Sequence, residues 1–282
     1  MSYRGLYVDL AIPRDQRGEP FERRFIVHVQ QMSLVATVAG VIVNGPLLTE
    51  ETFGHAQRER LAQLAVEAAP AGFPVWYGVP AAAADDAVAG VEIAAKLPTA
   101  GVILMPTKPA GVLGAFAAAY SWTVPTVVLV DGHDLDQQAI RGIGTGGLAP
   151  SVVAVAIAHG PLARYDQLLA AVGARTDVLP YSTSGVGVVE RLALGGSGAI
   201  IAAANAAPRD FGRLIAAAAA GDWATAGQSL PRTARTSAAV SAEQRVHSGA
   251  AGALGAVLAG AGTFPAPQAG RPRPATDISG GN

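Results

Sequence analysis

Five ionisable side chains gather in the middle of the chain: Asp131, His133, Asp134 and Asp136, with His159 some way further on. Carboxylates beside imidazoles suit two chemistries, a divalent metal held by oxygen and nitrogen ligands or a general base oriented by an acid. Asp131-Gly132-His133-Asp134 is not a specific metal-ligand pattern, so no metal is expected, and Asp134 or Asp136 is equally suited to cap a following helix. Amine chemistry has two candidates, because only Lys96 and Lys108 occur. Lys96 belongs late in a helix as a solvated charge, whereas Lys108 follows a strand and joins His133 and His159 as a candidate catalytic residue. Asn44, Asp131, Tyr181, Ser182 and Asn205 follow or end apolar runs and are the candidates for holding a ligand, and for Tyr7, Asp9 and Asn44 the alternation of strand residues decides whether they point into the barrel or away from it. His28, His55 and His247 fall on helical patterns and are expected at the surface.

What must position these groups is an alternation of short β-branched runs with alanine-rich helical patterns, the signature of βαβ units around a parallel sheet. Strands are expected at 5–12, 40–44, 74–78, 101–105, 126–131, 152–158, 178–181 and 198–202. Helices are expected between and after them at 21–35, 52–69, 84–97, 111–120, 135–142, 162–172, 185–194 and 209–220. Eight such units at about 30-residue spacing predict an α/β fold, a (β/α)8 TIM barrel whose strand ends bring the site residues to one mouth. The barrel is expected over 1–220. A helical extension follows over 221–262, with helices at 222–230 and 236–259, and then a Pro- and Gly-rich disordered tail over 263–282. An open doubly wound sheet is disfavoured, because the glycine run 142–147 follows a helix instead of joining a first strand to one.

Composition narrows the function classes. The 282 residues carry a formal net charge of −1 and only 15% are charged, so nucleic acid and anionic membrane surfaces are not expected partners. With no cysteine, disulfides, thiolate catalysis and Cys-ligated metals drop out. No secretory signal or membrane span is read, which fits a cytoplasmic protein.

The segment Leu194-Gly195-Gly196-Ser197-Gly198-Ala199-Ile200-Ile201, running on to Asn205-Ala206-Ala207-Pro208, resembles the seventh-helix-to-eighth-strand segment of the dihydrodipicolinate synthase / N-acetylneuraminate lyase family. Gly5-Leu6-Tyr7 through Pro13 and Gly18 is similar to the family's opening strand, and the stretches 40–45, 73–79 and 124–129 to its second, third and fifth. The likeness covers about 3–230. It implies a class I aldolase barrel, commonly a dimer or tetramer, that binds a small 2-oxo acid as an imine on a lysine at the end of the sixth strand. By the same resemblance Ala156 takes that lysine's place. Gly45-Pro46-Leu47-Leu48-Thr49 replaces a Gly-Thr-Thr-Gly-Glu motif that holds the substrate carboxylate, and Val130 matches a proton-shuttling tyrosine. The carboxylate-binding arginine falls near Leu135. The loop 105–111 lacks the tyrosine that crosses a subunit interface, and Tyr181 stands at a family glycine, where its ring would fill the substrate space.

The resemblance therefore implies a divergent barrel, a pseudoenzyme that has lost Schiff-base aldolase and lyase activity and binds a small ligand or a partner. The alternative is a lyase or aldolase acting on a small 2-oxo acid by another mechanism, through a relocated Lys108 or a His/Asp site. No cofactor is implied. A homo-oligomer, or assembly with an active paralogue, completes the expectations.

Overall fold

The computed structural model describes residues 3–48, 53–81, 84–106, 121–145, 148–173, 175–244, 246 and 250–264. Eight parallel strands close into a barrel in chain order. They are β1 (Gly5–Asp9), β2 (Val38–Val43), β3 (Val75–Ala81), β4 (Gly101–Pro106), β5 (Thr126–Asp131), β6 (Val152–Ala158), β7 (Asp177–Ser182) and β8 (Gly198–Ile201). Closure comes from β8 pairing with β1, Gly198 level with Gly5. Each strand is buried on both faces, which is why its residues read as continuous apolar runs. Alternation then divides them. Tyr7, Ile42, Trp76, Ile103, Leu129, Ala156, Leu179 and Ile200 pack in the lumen, while Val8, Val41, Leu104, Val128, Val130, Val155 and Val178 pack outward against the helices.

The helices are α1 (Glu22–Ser33), α2 (His55–Ala68), α3 (Ala84–Ala95), α4 (Gln137–Thr145), α5 (Leu162–Val172), α6 (Val188–Ala193), α7 (Pro208–Ala219), α8 (Trp223–Gln244) and α9 (Ala250–Gly260). The expected helix over 111–120 lies outside the described residues, as do Lys108, His247 and the tail from 265 on. Among the described residues no helix is long and apolar enough to cross a membrane.

Several expectations are corrected. β1 stops at Asp9 and not at residue 12, because the Ala11 N–H donates to the Asn205 side chain (3.1 Å) and not to a neighbouring strand. α6 starts three residues late, since Gly185 and Gly187 hold φ of +88° and +76°, outside the helical region. Pro231 does not separate two helices; it sits inside α8. Ala226, Ser229, Thr233, Ser237 and Val240 form a buried stripe on both sides of it, so packing holds the helix together across the missing N–H.

His28 is not a surface residue. It shares the inward stripe of α1 with Phe25, Val29 and Met32 and is 1% exposed. Phe264, placed by sequence in the tail, is itself buried and stands edge-on to the His28 ring, with centroids 5.1 Å apart.

Candidate functional site

A cavity of about 300 Å³ opens at the carboxyl ends of the strands, where barrel sites form. Leu47, Met105 and Leu129 give it apolar walls, and Asp131, His159, Tyr181 and Thr183 give it polar ones. Two larger hollows, about 560 and 480 Å³, flank α1 on the outside of the barrel. Size alone would select them. The strand ends select the mouth.

Beneath the mouth lies Asp9, the last residue of β1, completely buried. One carboxylate oxygen, Oδ2, accepts the Leu47 backbone N–H at 2.8 Å and the Tyr181 hydroxyl at 3.0 Å. The other, Oδ1, has no partner among the described residues. A side chain at Gly45 would run into that oxygen, so the glycine is what lets the Pro46–Leu48 turn approach the carboxyl. Burial pushes the Asp9 carboxyl up from 3.8 to about 7, and the hydrogen bonds from Leu47 and Tyr181 offset only part of that. Ala156 sits deeper in the lumen, level with Leu129 on one side and Leu179 on the other, and is fully buried.

The predicted site residues divide. Asp131 and His159 reach the mouth from the ends of β5 and β6, and Tyr181 from β7. His159 holds a left-handed φ of +47°. Its carbonyl accepts from Arg191 Nη2 at 3.2 Å and that of Gly160 at 3.0 Å, so a guanidinium braces the strained turn. His133 does not join them. It is exposed, its backbone N–H donating to Asp131 Oδ1 in a local turn (2.8 Å). Asp136 caps α4, accepting the Ala139 N–H at 2.7 Å.

Three other ligand candidates lie outside the lining of the mouth cavity. Ser182 turns away into a loop, accepting from Gly185 N–H and donating to the Val186 carbonyl, and Thr183 takes its place at the mouth. Asn44, with φ of +56°, donates to the Arg58 carbonyl of α2 and so anchors a helix. Asn205 is a buried knot. Its amide donates to the carbonyls of Asp9 (2.6 Å) and Ala202 (2.7 Å), and its oxygen accepts from Ala11 N–H and meets His28 Nε2 at 2.7 Å. With all four of its side-chain hydrogen-bonding positions used, it holds β1 to α1, and it borders the hollow of about 480 Å³ beside α1 and not the mouth. Burial lowers the His28 pKa, partly opposed by the hydrogen bond that its Nε2 makes to the Asn205 oxygen. Val130 packs with the outer cluster while bordering the mouth cavity, and the lumen position of β5 is Leu129, which likewise has no hydroxyl. Among the described residues, no three His, Asp or Glu side chains gather closely enough to hold a metal ion.

Thr183 is a mouth residue that the sequence does not single out, and Asp9 is one whose facing the alternation of the strand leaves open. The signal for Asp9 was present, an acid inside the apolar run Leu6 to Ile12 in the same register as Tyr7.

The Dihydrodipicolinate synthetase family model matches residues 2–248. A 4-hydroxy-tetrahydrodipicolinate synthase from Acidobacterium capsulatum is 27% identical over 200 residues, which span 67% of this chain and 65% of that protein, less than two thirds of its length. Among solved structures, a 4-hydroxy-tetrahydrodipicolinate synthase from Methylacidiphilum fumariolicum SolV superposes with a TM-score of 0.82 at 17% identity, over 96% of this chain and 89% of that one. Dihydrodipicolinate synthase from Aquifex aeolicus gives 0.74 at 20% identity, over 84% and 83%. A prophage protein of the dihydrodipicolinic acid synthase family from E. coli K12, in complex with pyruvate, gives 0.79 at 18% identity, over 95% and 93%. At these identities the structural likeness is one of fold.

Proposed function

This chain belongs to the dihydrodipicolinate synthetase family, and from that premise we propose that it binds a small molecule at the barrel mouth without forming a Schiff base there. The observation that carries this reading is the pair of side chains around the lumen position of Ala156. Alanine has no nucleophile, and the Tyr181 ring, tied to Asp9, stands one lumen layer above it, level with Ala158. Leu47 lines the mouth where a hydroxyl would be wanted to hold a substrate carboxylate. The chain's lysines are Lys96, exposed just past α3, and Lys108.

A second reading, a lyase or aldolase working on a small 2-oxo acid by another mechanism, draws on His159 and Asp131, which share the rim. His133 lies outside that rim, so the imidazole version narrows to His159.

Borohydride reduction in the presence of pyruvate, followed by intact and peptide mass spectrometry, separates the two readings. The expected spectrum shows unmodified protein. A reduced pyruvate adduct on Lys108 or Lys96 overturns the binding reading.

A further inference from the structure

The lumen is lined by apolar and aromatic side chains, and an ionisable acid placed there is held against its own desolvation. A purely structural role would be met by a neutral acceptor for the Leu47 N–H. Among the described residues, Asp9 instead puts both of its hydrogen bonds on one oxygen, and one of the two donors is the hydroxyl of a residue that walls the cavity. A carboxyl behind a phenol, with the phenol at the cavity, is a two-step proton path from the mouth to a buried acceptor.

We infer that Tyr181 is the proton-transfer group of this mouth, with Asp9 as its proton partner, and that the pair acts on small carbonyl compounds bearing hydrogen on the carbon next to the carbonyl. This rests on the imine-free reading above. In the step, that C–H bond breaks and its proton passes to the Tyr181 oxygen while the phenol proton passes to Asp9. The electron pair moves into the carbonyl to give an enolate, for whose oxygen the Thr183 hydroxyl and the His159 ring at the rim are the available donors. Return of a proton along the same path re-forms the C–H bond, so nothing is oxidised or consumed.

Among the described residues, the titratable group that meets the Asp9 carboxyl is Tyr181 from β7, and Tyr7 lies one lumen layer deeper on β1. Asp131 and His159 stand across the cavity, with the α9 residue Ala250 at its edge. His28 reaches Asp9 only through Asn205 and its main-chain carbonyl. Because Asp9 must be ionised to receive the proton, the rate is expected to rise with pH and level off above about 7.

The test is deuterium uptake into pyruvate and hydroxyacetone in D2O, followed by proton NMR across pH, with borohydride trapping on the same samples. The whole chain should exchange at least one probe faster than buffer with no reducible adduct. Asp9→Asn and Tyr181→Phe, both near in shape to the originals, should lower the rate by about 100-fold, and Asp9→Asn should flatten the pH profile. Exchange on neither probe, or exchange that survives both substitutions, overturns the assignment while leaving the binding reading standing. Exchange accompanied by a reducible adduct overturns both.

Discussion

Asp9 is an acid whose folded pKa lies above its ordinary value, about 7 against 3.8, so between those limits the folded chain holds a proton that the unfolded chain has lost. Its cost to stability is absent below the ordinary range, grows as pH rises, and is complete above about 7, where it reaches about 4 kcal/mol. Asp9→Asn removes the titration. The variant should therefore gain on the wild type steadily between about pH 4 and pH 7 in denaturant unfolding, and a pH-independent difference would show that the carboxyl is not held against its charge. His28 titrates with the opposite consequence. Its folded pKa is lowered, so its contribution is present above the ordinary histidine range and lost as pH falls toward the folded value. Both proteins carry that loss equally, and the difference between them isolates Asp9.

At the scale of elements, periodicity was legible where both faces of a strand are apolar. The bounds of β5 and β6 match the sequence reading to the residue. It failed where a side chain far away in sequence intervenes. Asn205 ends β1 from nearly two hundred residues downstream, which no local pattern encodes. Proline misled in the same way, because its helix-breaking tendency is local and the buried stripe of α8 is tertiary. Pro231 is exposed, and the helix tolerates it without depending on it. Pro231→Ala restores an N–H and relieves the ring, so it should raise stability by about 1–3 kcal/mol in chemical denaturation. A loss of stability would mean that the proline shapes α8 for its packing on α7.

For the whole molecule, the fold was legible because eight repeats of one unit have few ways to close, whereas the mouth depended on which member of each alternating pair faces inward. Thr183 stands at the mouth where Ser182 was expected on that count, and Leu129, not Val130, packs in the lumen of β5. Reading the C-terminal helices as an extension also understates their part in the core. Leu254, Leu258 and Phe264 belong to one continuous apolar cluster with Leu47, Phe25 and Phe211 from the barrel. One shared core predicts one cooperative unit. Leu258 is completely buried in α9, and Leu258→Ala should cost about 2–5 kcal/mol. It should lower the transition of the barrel along with that of the extension. Far-UV circular dichroism reports the helices of both, and tryptophan fluorescence reports Trp76 in the lumen, Trp122 before β5 and Trp223 on α8. Coincident transitions, shifted together by the substitution, are the expected outcome. A barrel signal that stays at its wild-type midpoint while helical signal is lost earlier would show that residues 221–264 fold onto a barrel already stable without them.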